Sequence, residues 1–460
     1  MDNYTATLVE FADKIKLEDL PIFVIEQSKL FIADYYAASF AGYRINKNFN
    51  STAMALIREE DGCEEASILL EDRKFPVCNA AFMNAMYAHG ADMDDGNRKS
   101  AGHIATHVMS AVFAMGEKLD VTWGDIIVAI NVGYEFFNRI AGAAQPGLYN
   151  KGFHSTGVAG AMACAASCAK LLELDMNGIY NSVSLGAIQS SGLIIIDESG
   201  QGCKPINPAN AARVGVFSAM MAEKGIESSR NSLESKKGWF NAFADSVNEE
   251  ILLGGLGTLF TIFESYLKLY PTCRHTHSCI DAAIELRKYI GNDDSAINEE
   301  IEKINVFIYP SAIKSAGRII HPKSQDEAKF SISYAMAVAF CKGTFSLDDL
   351  NVDDADGIIN KLSEKIELSV DNSMENREKG IRGVRVKVTL RDKSELKKTV
   401  LIPKGEGAES LEWSDMQEKM MACSKECVDI EVVNKVIEKC KSINPDDRYV
   451  SILTLINNAL

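Results

Sequence analysis

Between His89 and His107 the chain places three imidazoles (His89, His103, His107) and three carboxylates (Asp92, Asp94, Asp95), although it holds only seven histidines in all. Ionised carboxylates accept hydrogen bonds and imidazole changes charge near neutral pH. Such a cluster suits proton transfer, metal binding or a hydrated turn. His103 and His107 are four residues apart, which puts both on one face of a helix. With an aspartate they could bind zinc or iron. There is no H-E-x-x-H pattern, no further histidine at ligand spacing and no cysteine nearby, so the expectation is no metal. The plainer reading is a solvated turn followed by polar residues on a helix.

Three further segments carry chemistry-bearing groups. Gly152-Phe153-His154-Ser155-Thr156-Gly157 sets a histidine just before a small-residue helix, whose N-terminal N–H groups attract anions. Lys204 lies in a Gly- and Pro-punctuated loop from Gly200 into another small-residue helix, where a lone lysine is ordinarily solvated. Lys268-Leu269-Tyr270-Pro271-Thr272-Cys273-Arg274-His275-Thr276-His277 packs two cations and two imidazoles into ten residues. It falls at an expected domain junction, where ligand clefts often form. Tyr334 reads as one more aromatic on the core face of a helix. No segment decides the matter alone. No dinucleotide fingerprint, P-loop or nucleophile elbow is present. What remains is proton transfer, with no cofactor, on a small anion held by several positive groups.

At 460 residues the chain exceeds what one hydrophobic core serves, so two or three domains are expected. A net charge of −16 gives no basic surplus to offset phosphates, which argues against a nucleic-acid partner. Eleven cysteines without a C-x-x-C pair read as free thiols in a reducing compartment. The acidic, amphipathic N-terminus is unlike a targeting peptide, and no apolar run reaches membrane-spanning length. The expected location is cytoplasmic, with no membrane association.

The elements that would position these groups divide by period. Helical periodicity dominates up to about residue 265, with apolar stripes over 22–41, 124–142, 157–173 and 210–224. The Gly-, Ala- and Cys-rich 157–173 stretch suits a helix packed on all sides. Beyond about residue 268, Ile304, Val306 and Ile308 alternate with polar positions as a strand ended by Pro310. Val384–Leu390 and Lys397–Ile402 read as a hairpin about a turn at Arg391–Ser394. A capping box at Ser324–Glu327 opens a helix expected to reach Cys341, and another helix covers His277–Ile290. The pattern is helical again from about Ser410. The expected fold is mainly α, with a large discontinuous helical domain (1–267 and 406–460) and an inserted smaller α+β domain (268–405).

Five segments in this order resemble the MmgE/PrpD family, whose members include 2-methylcitrate dehydratase, cis-aconitate decarboxylase and iminodisuccinate epimerase. They are the D-x-D-D turn at Asp92–Asp95 with His103, the G-[FY]-H-x-T segment at Gly152–Thr156, Lys204 before Ala211-Ala212, Lys268 to His277, and Phe330-Ser331 with Tyr334. The resemblance covers almost the whole chain. It implies a helical domain with an α+β lid, a homodimer, and a site between domains that needs no metal or other cofactor. By position it implies Asp92, His103, His154 and Tyr334 as catalytic residues, with Lys204, Lys268, Arg274 and His277 binding substrate. Departures are Gly96 where the family has Thr, His103-Ile104 for His-Pro, a loop to His103 one residue longer, and Pro205, Ala209 and Asn210 after Lys204. The implied function is a lyase that moves a proton beside a carboxylate of a small di- or tricarboxylate. Dehydration of a 2-methylcitrate-like acid is the first expectation, with decarboxylation or epimerisation as alternatives. A metal-dependent lyase using His103 and His107, or a non-catalytic anion-binding protein, stand behind these.

Overall fold

The computed structural model describes residues 3–60, 62–195, 202–291, 294–352, 357–376 and 380–459. The fold is mostly helical and divides into two compact units, one of Met1–Tyr266 with Trp413–Leu460 and one of Leu267–Glu412. None of the described helices is long and apolar enough to cross a membrane.

The first unit is built around helices that are apolar on every side. Ile22–Ile45 starts at Pro21 and is buried without a break from Ser28 to Gly42. A helix of that kind can only sit inside a bundle. It packs against Val77–His89, Ala105–Leu119, Trp123–Ala143, Trp413–Ser424 and Ile430–Lys441. The contact with Val77–His89 is close. A Cβ on Gly42 would lie 1.8 Å from the Tyr87 carbonyl oxygen, so any side chain there would push apart the helix that leads into the aspartate turn. The Asn46 amide continues this contact by donating to the Gly90 carbonyl at 2.9 Å.

The Gly-, Ala- and Cys-rich stretch forms Gly160–Leu171, buried at every residue but Lys170. It packs against Trp123–Ala143, Met176–Ile188 and Ile206–Glu223. Its small side chains allow that density of neighbours. The sequence reading set His154 just before this helix, at its N-terminus. The four-residue helix Ser155–Val158 intervenes, so His154 caps that short element rather than the long one. All eleven cysteines carry free thiols.

The second unit holds a four-stranded mixed sheet in the order Glu395–Val400, Val384–Leu390, Ile301–Ile308, Ile366–Val370. The alternating residues pair as one buried row, Ile304 with Val388, Val306 with Val386 and Ile308 with Val384. Arg274–Ile290 covers the hairpin and packs on Ile332–Lys342. Three details correct the sequence reading. The second hairpin strand starts two residues earlier, because Leu390 N–H bonds to the Ser394 carbonyl and closes the turn. Ile366–Val370, parallel to Ile301–Ile308, was not foreseen, although its residues alternate. The capped helix is broken, with Ser324 capping only Gln325–Lys329. Ser331 then caps Ile332–Lys342, its hydroxyl accepting from Tyr334 N–H and donating to the Ile319 carbonyl. A serine that offers the backbone such bonds competes with helix continuation.

Candidate active site

Val77–His89 ends in the turn that carries the three aspartates, and Asp92 within it has a left-handed φ of +55°. Asparagine and aspartate tolerate this conformation better than most residues, though at a cost. The longer loop from Asp92 to His103 is folded back on itself. Asn97 N–H donates to the Gly102 carbonyl at 2.9 Å, and the Asn97 side chain accepts from Lys99 and Ser100 N–H. His103 thereby returns to the aspartates.

The His103 ring is fixed in one sense. Its Nδ1 lies 2.7 Å from the backbone carbonyl oxygen of Asp95, which can only accept, so Nδ1 carries the proton. The Asp94 carboxylate is 3.4 Å from the same nitrogen. Nε2 is left as the ring's basic atom and faces Asp92 Oδ1 at 3.8 Å, beyond hydrogen-bond length. The His103 backbone N–H donates to the Thr156 hydroxyl at 3.1 Å, which ties this loop to the His154 segment. Asp92 Oδ1 also receives the Lys204 ammonium at 3.2 Å. Asp92 thus stands between a cation and the basic nitrogen of an imidazole.

His154 is buried on the same side of the unit. The Phe153–Leu193 bridge and the bond from its N–H to the Gly192 carbonyl hold its backbone. The Asn207 amide nitrogen donates to His154 Nδ1 at 3.0 Å, so the neutral ring keeps its proton on Nε2. Burial first, and then the Lys204 ammonium, push the His154 pKa well below its ordinary value, and the ring stays neutral. His89 completes the group. Its Nδ1 meets Asp94 Oδ2 at 2.8 Å, and its ring centroid is 4.7 Å from that of His103 and 6.1 Å from that of His154.

Exposure separates two tiers. The side chains of Asp92, His103 and Lys204 remain 12%, 12% and 23% exposed, while His89 and Asp94 are at 0% and 1%. The first three can meet a small molecule, and the others support them. Asp95 is also a support. Its carboxylate accepts from Ile104 and Ala105 N–H, at the head of Ala105–Leu119, and from the Tyr134 hydroxyl. Burial raises its pKa to about 7 against the pull of those donors.

The sequence reading passed over His89, Thr156 and Asn207. His89 and Thr156 stood inside the quoted segments, but nothing in the spacing assigned them partners. Asn207, in an ordinary Asn-Pro helix start, gave no signal. Of the metal reading, His107 has no part. It is fully buried, its ring lies 4.9 Å from that of Phe137, and neither nitrogen has a hydrogen-bond partner among the described residues. Burial takes its pKa down to about 3. His89, Asp92, Asp94 and His103 do each bring one ligand-type atom within 4.8 Å of the others. Lys204 already holds Asp92, so a cation there would have to displace its ammonium.

The Gly96 departure has a steric reason. Gly96 pairs with Tyr266 in a short antiparallel ladder, and a Cβ on Gly96 would lie 2.5 Å from the Tyr266 hydroxyl oxygen. The tyrosine ring fills the space a threonine would need.

The remaining sequence candidates lie in the second unit. Lys268 is buried there. Arg274 donates to His277 Nδ1 and to the carbonyls of Pro403 and Lys404, and pairs with Glu406 at 3.2 Å. His277 Nε2 faces the Thr272 carbonyl at 3.4 Å. These two residues bind the 403–406 segment to the start of Arg274–Ile290. The Tyr334 hydroxyl donates to the Asp349 carbonyl at 2.6 Å. Gly200 and Gln201, at the head of the Lys204 loop, lie outside the described residues.

Two family models match the chain, MmgE/PrpD N-terminal domain over residues 6–251 and MmgE/PrpD C-terminal domain over residues 270–443. A cis-aconitate decarboxylase of Aspergillus terreus is 27% identical over 350 residues, covering 73% of this chain and 71% of that one. The cis-aconitate decarboxylase of Homo sapiens is 24% identical over 461 residues, covering 96% and 92%. A cis-aconitate decarboxylase-like protein of Aspergillus oryzae is 23% identical over 480 residues, covering 100% and 98%.

Proposed function

The chain belongs to the MmgE/PrpD family and is a lyase-type enzyme, and we propose that it acts on a small di- or tricarboxylate by moving one proton at the carbon beside a carboxylate. The observation that carries this is the fixed ring of His103, whose Nδ1 is anchored on the Asp95 carbonyl while Nε2 faces Asp92 beside Lys204. A substrate carboxylate competes with Asp92 for the Lys204 ammonium in a charge-assisted bond. That contact sets the adjacent carbon near His103 Nε2. His154, held neutral with its proton on Nε2, offers a donor to the same anion. Enolate-like charge at the reacting carbon is stabilised by these fixed donors, which need no reorganisation in a site largely shielded from water.

The names of the relatives favour decarboxylation of a cis-aconitate-like acid. In that reaction the bond to a departing carboxylate breaks and CO₂ leaves. Its electron pair moves through the C=C bond to the carbon beside a second carboxylate, and that carbon takes a proton from His103 Nε2, which must first have been loaded with one from solvent. Dehydration of a 2-methylcitrate-like acid, the first expectation from sequence, is the second reading. It is favoured by two imidazoles in complementary states. His103 would accept the proton beside the carboxylate, and a donor such as His154 would protonate the leaving hydroxide as water. Both reactions are redox-neutral.

Incubating the protein separately with cis-aconitate and 2-methylcitrate in D₂O, and following products and C–H exchange by NMR, tests the proposal and separates the readings. Loss of carboxylate with deuterium at the new methylene supports the first, and an unsaturated product with all carboxylates kept supports the second. Absence of both conversion and exchange with either acid overturns proton abstraction as the function. In His103→Ala, turnover is expected to vanish while the melting curve stays unchanged. Full activity in that variant would remove His103 from the role.

A further inference from the structure

We propose that the buried ion pair of Lys419 and Asp34 is a positioning device for the aspartate turn, so that Lys419, far along the chain, is a positioning residue for catalysis. The inference rests on the reading of His103 as the proton-moving group, with Asp92 and Lys204 beside it. Lys419 lies on Trp413–Ser424 and Asp34 on Ile22–Ile45, and the two helices pack together within the first unit. Both side chains are essentially without solvent, at 0% and 1% exposure.

The Lys419 ammonium bonds to Asp34 Oδ1 and also donates to the Met93 carbonyl at 2.9 Å. One turn later on the same helix, Cys423 Sγ is 3.8 Å from the Met93 sulfur. Met93 stands between Asp92, which faces Lys204 and His103, and Asp94, which faces His89 and His103. Turning the Met93 peptide would therefore swing both carboxylates away from His103 together. The turn has reason to need such a hold, because the left-handed φ of Asp92 persists only where the surroundings impose it. Asn46 grips the turn at the Gly90 carbonyl, and Lys419 grips it three residues later.

A pair of matched charges in a dry core is a poor stabiliser, and well-packed apolar residues in its place are commonly as stable or more so. The bond to Met93 is what an apolar pair would lack. The decisive variant is therefore Asp34→Leu/Lys419→Met, which removes both charges and keeps the branched skeleton of one side chain and the length of the other.

Its melting temperature is expected within a few degrees of wild type, while kcat falls at least tenfold. Sub-ångström displacement of reacting groups has effects of this size. The ring resonances of His89 and His103, in protein labelled with ¹⁵N-histidine, are expected to move while those of His275 and His321 stay in place. The conservative Asp34→Asn variant keeps an acceptor for Lys419 and the Met93 bond, and is expected to retain most of kcat and unshifted signals. It also supplies the comparison with single Lys419→Met should the double variant not fold. Unchanged His89 and His103 signals and unchanged kcat in folded double variant, or in folded Lys419→Met, overturn the proposal. The spectra need no substrate. Inactivity of the wild-type protein towards the acids above counts against the proposed function, whereas unmoved histidine signals count against the positioning role.

Discussion

Replacing Asp95 with Asn should change how stability depends on pH. The Asp95 carboxyl is fully buried, and its pKa is raised to about 7 from 3.8. A raised acid pKa means that the native state binds the proton more tightly than the unfolded chain. The stabilisation is therefore complete below the unfolded pKa and is lost as pH rises through the folded one. Between pH 5 and pH 7 the loss runs at about 1.4 kcal/mol per pH unit, or roughly 3 kcal/mol across the window. Asparagine does not titrate. Its carbonyl oxygen can still accept from Ile104 and Ala105 N–H, and the Tyr134 hydroxyl can turn to accept from the new amide. The backbone carbonyl that anchors His103 is untouched. Urea unfolding of both proteins at half-unit steps from pH 5 to pH 8 supplies the test. The stability difference, variant minus wild type, should climb by about 3 kcal/mol towards pH 7 and then level off. A difference that is flat with pH would mean that Asp95 is ionised throughout, and that three donors outweigh its burial.

Other outcomes follow from the same geometry. His107→Leu should lessen acid sensitivity. With its pKa lowered to about 3, His107 binds no proton in the native state, so the wild type loses stability as pH falls below about 6.5, a slope the leucine variant lacks. Chemical denaturation between pH 4.5 and pH 7 reads this, and equal slopes would refute it. Gly96→Thr should lose about 1–3 kcal/mol through overpacking against Tyr266, with part recovered in Gly96→Thr/Tyr266→Ala. An undiminished melting temperature in the single variant would mean that the ring moves aside freely. Lys204→Met should weaken substrate affinity about ten- to a hundredfold, the worth of a hydrogen bond to a charged group. Calorimetric titration with the acid that the enzyme converts measures this, and unchanged affinity would place the substrate carboxylate elsewhere.

The sequence by itself determined the helical character of the first 265 residues, because apolar period and small-residue composition are local properties that survive in the fold. It also determined the alternation at Ile304, Val306 and Ile308 and the strand Val384–Leu390, and the types of side chain available for chemistry. Local chemistry misled where two signals competed. The Ser324 cap was legible, but so was Ser331, and only the bond from Ser331 to the distant Ile319 carbonyl shows why the helix restarts there. The aspartate turn gives the clearest division. Its composition announced proton chemistry, and the family resemblance singled out Asp92 and His103, but neither gave Asp94 or Asp95 a role. In the fold the Asp95 carbonyl and the Asp94 carboxylate hold Nδ1, Asp92 faces Nε2, and His89 takes the place that spacing had offered to His107. Roles of this kind depend on distances of three or four ångströms within one folded loop, whose path is held by the helices packed around it. Tertiary packing sets those distances, through contacts such as Gly42 on Tyr87 and Lys419 on Met93, and no local pattern encodes them.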